Sequence, residues 1–546
     1  MAAAGRPAHL GGEQGRRQRR TARRRLRRRH QQRPSGRHRN TIGGNRRRTY
    51  LRRRAARHRG GPGAGTALGE RPGLRLLQRH DHHRHPGRAC GGGRSRTAGR
   101  TVVLNASPAL PALEPEWQRR LRSEAGLLFD IHHAVGGPFH LLYPDRFEAN
   151  LAAFQQVLIR NDVPGQVYFG KKANKAGCWL PVVADLGAGV DVASEPELVH
   201  ALAHGVRGRD IGVTGAAKTS SLLRLAARHD CVVAVDSLDE LWRAAEIART
   251  ATRLRVLLRV LPPDAPHSRF GLSATDLEAA LAVCARARTE IDLLGFSFHL
   301  DGYAVEPRAT LAYDLIALCN RTKALGLPVR ALSIGGGFAC RYVDNDSWTE
   351  FTANQTGEWF HAGKRFDRFY PYAQAPVGAA MLEDILTTSF DGASLAHHLR
   401  DNGIALFLEP GRALLIDTGC TVFPVLGSKR NSAHVITTVH GLSMSVSEQW
   451  KGSEFLPDPI LVPFDPEPAS EPVGSCVGGA SCMEYDVLTW RKVPLPQQPR
   501  HGDLLIYPNT AGYQMDKNES EFHQLPLPPK IVLTTEAGRL RWRLDR

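Results

Sequence analysis

The feature that most constrains the fold is an alternation of short, β-rich apolar runs with amphipathic helical segments, from about residue 150 to residue 412. The segments between the runs place apolar residues three and four positions apart, as a helix with one buried face requires. Repeated β/α units of this kind form parallel sheets. The sequence therefore predicts an α/β fold, a TIM (β/α)8 barrel, with a doubly wound sheet as the alternative. The eight strand candidates are QVYFGKKA, AGVDVAS, DIGVTG, CVVAVDS, RVLLRV, LLGFSFHL, ALSIGGG and IALFLEPGR.

The pattern changes after the eighth run. Residues 413–546 contain strand-like runs separated by Pro and Gly turns and show few helical signals, so we expect a C-terminal β-rich domain. Residues 103–145 end in GPFHLLYP, a run that we expect to contribute a strand to that β domain. The predicted barrel then occupies residues 146–412.

Residues 1–102 form an Arg-rich tail of different composition. The first 100 residues contain 30 Arg, no Lys and three acidic residues, so they account for the net charge of +20, and the remaining chain is mildly acidic. The tail has no hydrophobic periodicity and cannot bury enough apolar surface to fold, so we predict disorder. Its arginine use fits a mis-assigned translation start, a polyanion-binding tail or a transit peptide. Nucleic acid is not an expected partner of the rest of the chain.

The sequence also bears on membrane association and on the redox state of the cysteines. No window approaches the roughly 18 to 20 consecutive apolar residues of a membrane span, and no secretory hydrophobic region is present. The nine cysteines are scattered without paired spacing, which favours reduced thiols that mostly pack in the core. We therefore expect a cytoplasmic protein without a membrane partner and without a metal site.

Polar and glycine residues collect where the predicted strands end. In a TIM barrel, chemistry occurs on the loops at the carboxyl ends of the strands. A single histidine or glycine triplet there would be an ordinary core or turn feature, but the whole set predicts an active site at that face. Its members are Lys171, Lys172, Asp191, Gly215, Arg259, His299, Gly335, Gly336, Gly337, Glu409, Pro410, Gly411 and Arg412.

Eight segments between about residues 135 and 530 resemble, in order, the motifs of fold-type III pyridoxal-phosphate (PLP) enzymes of the ornithine/diaminopimelate decarboxylase group. This resemblance implies an alanine racemase-like barrel with a C-terminal β domain, and PLP as the cofactor. Motifs in a fixed order over such a length are far more specific than any short pattern alone. The segments are FGKKAN, GVDVASEPEL, SRFG, GFSFHLDGY, SIGGGF, LEPGR, SCMEYD and AGY.

The resemblance assigns roles to the strand-end residues. It implies that Lys172 forms the Schiff base, that His299 stacks on the pyridine ring and that Glu409 contacts the ring nitrogen. We expect cationic neighbours to help Lys172 lose its proton, and we expect the adjacent Lys171 to point to the other face of the strand and to be solvated or ion-paired. Glycines permit the close backbone approach that a phosphate needs. The other implied cofactor-binding residues are Asp191, Arg259, Gly335, Gly336, Gly337, Gly411, Arg412 and Tyr513.

The same resemblance implies an α-decarboxylation that proceeds through a Schiff base and a quinonoid intermediate. Cys482 would return a proton to Cα, with Asp486 and Glu484 near the substrate. In the family this cysteine element comes from the neighbouring subunit, which implies a homodimer with shared active sites. Racemases on the same barrel place an arginine near the ring nitrogen, where this chain has Glu409. A racemase and a non-catalytic regulator remain the alternatives.

Departures from the family pattern limit the substrate prediction. Met483 follows the cysteine where diaminopimelate decarboxylases have Glu, and HLDG at 299–302 replaces His-Ile-Gly-Ser, so that a serine is lost and an acid is gained. Residues 341–403 form a long aromatic-rich stretch that fits either a lid or a surface excursion. The sequence therefore predicts a divergent decarboxylase acting on a small or basic amino acid.

Overall fold

The structure is a computed structural model that describes residues 106–250, 252–431, 434–446, 452–468 and 471–545. The predictions made for the tail at residues 1–102 lie outside this range. Within it, no helix is both long enough and apolar enough to cross a bilayer. Eight of the nine cysteines are described; all eight are free thiols, and Cys482 alone among them is exposed.

Eight parallel strands close into a barrel, which confirms the predicted TIM-type fold. Their side chains are largely buried on both faces, since helices cover the outside and apolar residues fill the inside. The eighth strand closes the ring by pairing in parallel with both the first and the seventh. The barrel strands are β2 (Gly165–Gly170), β3 (Gly189–Val192), β4 (Ile211–Val213), β5 (Val232–Val235), β6 (Leu254–Arg259), β7 (Ile291–Ser297), β8 (Ala331–Ser333) and β11 (Ala405–Leu408).

Helices alternate with the barrel strands, and hydroxyl caps fix where several of them begin. The side chains of Ser194, Thr219, Ser237 and Ser273 each accept a hydrogen bond from the backbone N–H three residues later. Such caps stabilise a helix start by about 1 kcal/mol. The helices around the barrel are Pro144–Arg160, Trp179–Asp185, Glu195–Ala203, Ser220–Arg228, Leu238–Arg249, Ala274–Arg286, Val305–Ala324, Gly378–Thr387 and Leu395–Asp401.

The predicted β-rich domain is a nine-stranded sheet. Its strand β1 (Phe139–Leu142) precedes the barrel in the chain. This strand pairs antiparallel with β12 (Gly419–Arg430) and parallel with β18 (Lys530–Glu536). Helices Glu116–Ser123 and Gly126–Val135 pack on this sheet through a second hydrophobic core. The other strands are β12 (Gly419–Arg430), β13 (Val435–Val439), β14 (Ile460–Val462), β15 (Val473–Gly478), β16 (Val487–Leu495), β17 (Leu504–Tyr507), β18 (Lys530–Glu536) and β19 (Arg539–Leu544).

The insert, residues 341–403, is packed rather than extended into solvent. It contains helix Asn345–Asn354, 3₁₀ turns at Gly357–Trp359 and His361–Gly363, the short hairpin β9 (Ser389–Phe390) and β10 (Ala393–Ser394), and two of the barrel helices. Several of its aromatic side chains are fully buried and contact one another edge to face. Phe360 forms a backbone bridge with Arg491 of β16, which ties the insert to the β domain.

Candidate active site

Lys172 lies at the carboxyl end of β2, in a 3₁₀ turn formed by Lys171–Ala173. Its Nζ is 3.6 Å from Oδ2 of Asp191 on the neighbouring strand β3. The carboxylate of Asp191 is buried, and its Oδ1 accepts a hydrogen bond of 2.6 Å from Oγ1 of Thr214. The amine is therefore held at the mouth of the barrel by an oriented negative charge.

The electrostatics of Lys172 differ from the expectation. Burial lowers the pKa of Lys172, but Asp191, Tyr513 and Glu409 together raise it by more, and Arg259 opposes them only weakly. The pKa therefore lies above its usual value. The prediction that cationic neighbours ease loss of the proton was wrong, because carboxylates dominate the surroundings of this amine. Release of the free amine requires that this negative charge be reduced.

Lys171 also differs from the expectation. Its side chain is buried, its Nζ donates a 2.9 Å hydrogen bond to the carbonyl of Lys175, and burial lowers its pKa. The prediction of a solvated or ion-paired lysine was wrong, because the chain leaves the strand geometry after Gly170 and turns into a 3₁₀ helix. Lys172, and not Lys171, lines the cavities at the barrel mouth.

His299 follows the end of β7 and faces the glycine triplet that follows β8. Its Nδ1 accepts a 3.2 Å hydrogen bond from the backbone N–H of Gly336. Burial, and then the charges of Lys172 and Arg259, lower its pKa to about 3. The imidazole is therefore neutral near pH 7.

At the glycine triplet Gly335–Gly337, the backbone lies so close to neighbouring residues that side chains would not fit. Gly335 and Gly337 have φ values of +67° and +80°, in the left-handed region. A Cβ at Gly335 would lie 2.6 Å from Nδ1 of His299, and one at Gly336 would lie 2.5 Å from the carbonyl oxygen of Glu409. Steric contact at these positions thus accounts for the run of three glycines.

Glu409 follows β11, the last barrel strand. Its Oε1 accepts a 2.8 Å hydrogen bond from Oγ of Ser333, and its backbone N–H donates to the carbonyl of Gly335 at 2.9 Å. Burial, followed by the repulsion of Asp191, raises the pKa of Glu409 to about 7. In the protein without cofactor, both protonation states of the Glu409 carboxyl group are therefore populated near pH 7.

Arg412, Gly411 and Tyr513 form the opposite wall. The guanidinium of Arg412 lies over the rings of Tyr370 and Tyr513, at 4.4 Å and 4.9 Å from their centroids. Its Nη1 donates to the hydroxyl of Tyr342 at 3.1 Å. Tyr513 has a φ of +77°, a strained conformation for a non-glycine residue, and its N–H donates to the carbonyl of Ala173. The wall therefore connects the β domain to the turn that carries Lys172.

Arg259 lies at the end of β6 and depends on residues that the sequence did not identify. Its Nη1 is 3.4 Å from Oδ1 of Asp236, and its guanidinium lies 4.4 Å from the ring centroid of Phe270. Asp236 also accepts the N–H of Gly271 at 3.1 Å. The SRFG turn at 268–271 is thereby fastened to the arginine that faces the site.

A buried ion pair supports Asp236 from behind. Nζ of Lys218 is 2.9 Å from Oε2 of Glu240, and both side chains are fully buried. The same carboxylate accepts the backbone N–H groups of Lys218 and Asp236. The sequence did offer one signal for Asp236, which lies near the end of the predicted strand CVVAVDS. A buried lysine paired with a carboxylate has no local sequence signature.

Two cavities share Lys172, His299 and Glu409. One of about 200 Å³ extends toward the glycine triplet, Gly411, Arg412 and Tyr513. The other, of about 600 Å³, extends toward Arg259, Phe270 and Ser297. Gly215 lines the larger cavity too, so nine of the thirteen predicted strand-end residues line one or both cavities, the exceptions being Lys171, Asp191, Gly335 and Pro410.

These residues fit a PLP-sized cofactor on structural grounds. The glycine triplet forms a cradle that a Cβ would fill. The hydroxyl of Ser297 is buried beside the larger cavity and has no hydrogen-bond partner among the described residues. An amine, a neutral imidazole and a carboxyl group line both cavities, and this donor set suits a pyridine aldehyde with a phosphate.

Cys482, Glu484 and Asp486 do not line either cavity. Cys482 is exposed, and its N–H donates to Nε2 of His523. The two carboxylate oxygens of Asp486 accept the backbone N–H groups of Ser443 and Ser481, so Asp486 shapes the cysteine loop. Their predicted roles stay predictions.

Comparisons with known proteins show which families and proteins this chain resembles. The sequence profile described as "Pyridoxal-dependent decarboxylase, pyridoxal binding domain" matches residues 145–366. A protein of Sinorhizobium fredii, named "Uncharacterized protein y4yA", is 36% identical over 417 residues, which cover 75% of this chain and 91% of that protein.

Relatives with a named activity are more distant. The diaminopimelate decarboxylase of Halalkalibacterium halodurans is 26% identical over 416 residues, covering 72% of this chain and 85% of that protein. The crystal structure of diaminopimelate decarboxylase from M. jannaschii with L-lysine has a TM-score of 0.62 at 18% identity, and it covers 77% of this chain and 91% of its own. That structural likeness supports the barrel and the β domain.

Proposed function

The chain belongs to the fold-type III family of pyridoxal-phosphate-dependent decarboxylases, and on that premise we propose that it removes the α-carboxylate of a small or basic amino acid. As a member of this family it is a PLP-dependent carboxy-lyase. The observation that carries the proposal is the convergence of Lys172, His299 and Glu409 on one pair of cavities.

PLP, when bound, supplies a conjugated ring that accepts the electron pair left at Cα as carbon dioxide departs. Lys172 would hold the cofactor through its amine, and His299 would offer a neutral aromatic face to the ring. Glu409 would lie at the ring nitrogen, where a carboxylate favours a protonated nitrogen. The glycine cradle, with Gly411 and Arg412, would bind the phosphate.

We assign the proton that replaces the carboxylate to Cys482 of a second subunit. In its own chain Cys482 is exposed and lies outside the Lys172 cavities. The neighbouring Tyr485 is 68% exposed, and tyrosine is among the residue types enriched at subunit interfaces. A homodimer that covers this loop would bring the thiol to the partner's cavity.

Asp301 favours a substrate with a distal ammonium group. It lines the smaller cavity, and its only hydrogen bond in the described structure is a 3.0 Å contact from the adjacent Gly302 N–H. A carboxylate at the cavity mouth attracts a cation and repels a second carboxylate.

Two alternatives find less support. A racemase would be expected to have an arginine at the ring nitrogen, whereas we assign that place to Glu409, whose carboxylate accepts a hydrogen bond from Ser333. A non-catalytic relative would be free to lose cofactor contacts, whereas this chain keeps the lysine, the histidine, the carboxylate and the glycine cradle together.

The test is carbon dioxide release by the PLP-loaded protein from a panel of L- and D-amino acids, with Lys172→Ala as the inactive control. We expect a basic amino acid to be the best substrate. Asp301→Asn should then lower kcat/KM for that substrate by about 2- to 5-fold, the effect of losing an exposed charge pair, and leave neutral substrates unchanged. Interconversion of enantiomers without carbon dioxide release would favour the racemase instead.

A further inference from the structure

Three potential metal ligands lie together away from the Lys172 cavities. His361, His434 and Cys476 come from separate segments, and their ligand atoms all lie within 4.8 Å of one another. Nδ1 of His361 is 3.0 Å from Nε2 of His434. Tetrahedral zinc requires about 3.3 Å between two nitrogen ligands and about 3.6 Å between nitrogen and sulfur. Side-chain adjustments of about 1 Å would therefore complete the geometry.

The cluster contains a buried polar atom that lacks a partner. His434 is 4% exposed and Cys476 is 1% exposed. Nδ1 of His434 is buried and has no hydrogen-bond partner in the described part of the chain. Buried polar atoms usually have a partner, so this ring has one nitrogen available to a metal in addition to Nε2, which contacts His361.

Rigid elements hold two of the ligands. His434 directly precedes β13, and its N–H donates to Oδ1 of Asn431 at 2.9 Å. Cys476 is in the middle of β15 and pairs in parallel with Ile436 of β13. Adjacent strands of the β domain thus position both ligands, with Cys476 within β15 and His434 directly before β13.

The third ligand comes from the insert. His361 begins a 3₁₀ turn in which Ala362 and Gly363 have φ values of +54° and +66°. The bridge between Phe360 and Arg491 holds this turn against β16. The cluster therefore spans the contact between the insert, residues 341–403, and the β domain.

A cavity of about 650 Å³ opens beside the two histidines and leaves space for a fourth ligand. Lys492 also lines this cavity and would repel a cation, but its ammonium donates to the carbonyl of Glu358 at 2.7 Å. A thiolate at Cys476 would offset one of the two charges of a divalent ion. Its proton is released to solvent when the metal binds.

We propose that His361, His434 and Cys476 bind one Zn²⁺ ion, with a solvent molecule as the fourth ligand, and that this ion fastens the insert to the β domain. Two imidazoles and one thiolate form a borderline-soft donor set that prefers zinc and similar late first-row ions to Mg²⁺ or Ca²⁺. The site is independent of the proposed decarboxylation, and its test does not use turnover.

The test uses the full chain without an added histidine tag, stripped of metal and titrated with Zn²⁺ against a chromophoric chelator. In parallel, Co²⁺ is added as a spectroscopic substitute for Zn²⁺. We expect one equivalent to bind tightly, with an intense thiolate-to-cobalt band in the near ultraviolet and the visible bands of four-coordinate cobalt. Failure of the wild-type protein to show a thiolate band would overturn the proposal.

Control variants separate this site from the tail, whose segment HDHHRHPGRAC at residues 80–90 also contains metal-binding side chains. His361→Gln and Cys476→Ser should each weaken the binding of one equivalent by more than the about 10- to 100-fold typical of a second-sphere change. Cys476→Ser should also remove the thiolate band. Cys90→Ser and the buried barrel variant Cys284→Ser should leave both unchanged. A band that persists in Cys476→Ser but vanishes in Cys90→Ser would assign the metal to the tail and refute the site.

Discussion

The backbone N–H of Gly336 donates a 3.2 Å hydrogen bond to Nδ1 of His299. Since burial and nearby cations lower the pKa of His299 to about 3, the ring is neutral and its proton lies on Nε2. The glycine triplet proposed to bind the phosphate therefore also fixes the tautomer and orientation of the imidazole beside Lys172. A neutral ring adds no further positive charge next to Arg259.

This relationship predicts a specific defect for Gly336→Ala. The new Cβ would lie 2.5 Å from the carbonyl oxygen of Glu409, and the backbone would have to move away from His299. Overpacking of this kind costs about 1 to 3 kcal/mol, so PLP should bind about 10- to 100-fold more weakly. Equilibrium binding of PLP, followed by tryptophan fluorescence, measures the change.

The matched control is Gly126→Ala, because a Cβ at Gly126 meets no atom within 4 Å. It should bind PLP like the wild-type protein. Unaltered PLP affinity in Gly336→Ala would show that the triplet is only a turn.

The second prediction distinguishes the two adjacent lysines. Borohydride reduction of the PLP-loaded protein should place the pyridoxyl mass on Lys172, because its Nζ lines both cavities whereas that of Lys171 is buried under the Lys175 carbonyl. Tandem mass spectrometry can locate the label between the two residues. Lys171→Met should keep the label and Lys172→Met should lose it. Label on Lys171 would mean that the turn at 171–173 is arranged differently in the loaded protein.

The third prediction concerns the pH dependence of stability of the cofactor-free protein. The pKa of Glu409 rises from its usual 4.5 to about 7 on folding. The folded state thus favours the protonated form, and this favourable contribution is complete below about pH 4.5 and is lost as the pH rises through 7. Glu409→Gln should therefore gain stability relative to the wild-type protein between pH 4.5 and 7, by up to about 3 kcal/mol, and stay level above that range.

Urea unfolding at a series of pH values measures this difference. Comparing the variant with the wild-type protein at each pH cancels the contributions of other groups, such as Glu454, whose pKa burial also raises to about 7. Lys172 does not interfere, because its raised pKa affects stability only at alkaline pH. A difference that is constant across the range would show that Glu409 is already ionised in the folded protein.

Much of the fold was predictable from local patterns. The alternating strands and helices specify a barrel because each repeat must bury one face, and parallel strands bring their carboxyl ends to one edge. That is why Lys172, His299 and Glu409 could be expected to converge although more than one hundred residues separate each from the next in the chain. The lead-in strand β1 was likewise visible as an apolar run after two glycines.

The features that the sequence did not predict depend on contacts between particular residues. Such contacts leave no periodic pattern in the sequence. The inward turn of Lys171 follows from a 3₁₀ helix rather than strand alternation. The raised pKa of Lys172 reflects carboxylates from two other strands. The histidine and cysteine cluster was missed because His361 and His434 are 73 positions apart, and so no metal-binding spacing was present to detect.

The last prediction concerns Cys482. If this thiol donates the proton that replaces the carboxylate, Cys482→Ala should bind PLP and substrate normally, because none of the contacts assigned to holding them runs through the thiol. Turnover should fall by about 10²- to 10⁴-fold, the usual effect of losing a general acid. Stopped-flow measurements of carbon dioxide release and of product formation should show that the slow step follows carbon dioxide departure.

Mixed dimers test whether the thiol acts across subunits. Combining Cys482→Ala with Lys172→Ala chains should restore part of the activity, because one of the two sites in a mixed dimer would then contain an intact lysine and an intact partner cysteine. Neither parent variant alone has such a site. Cys284→Ala, which removes a thiol buried in the barrel, serves as the control and should neither impair turnover in this way nor require complementation. Normal turnover by Cys482→Ala homodimers would instead make the cysteine loop an interface element, and the proton donor would have to be sought among residues that line the cavities, such as Lys172 itself.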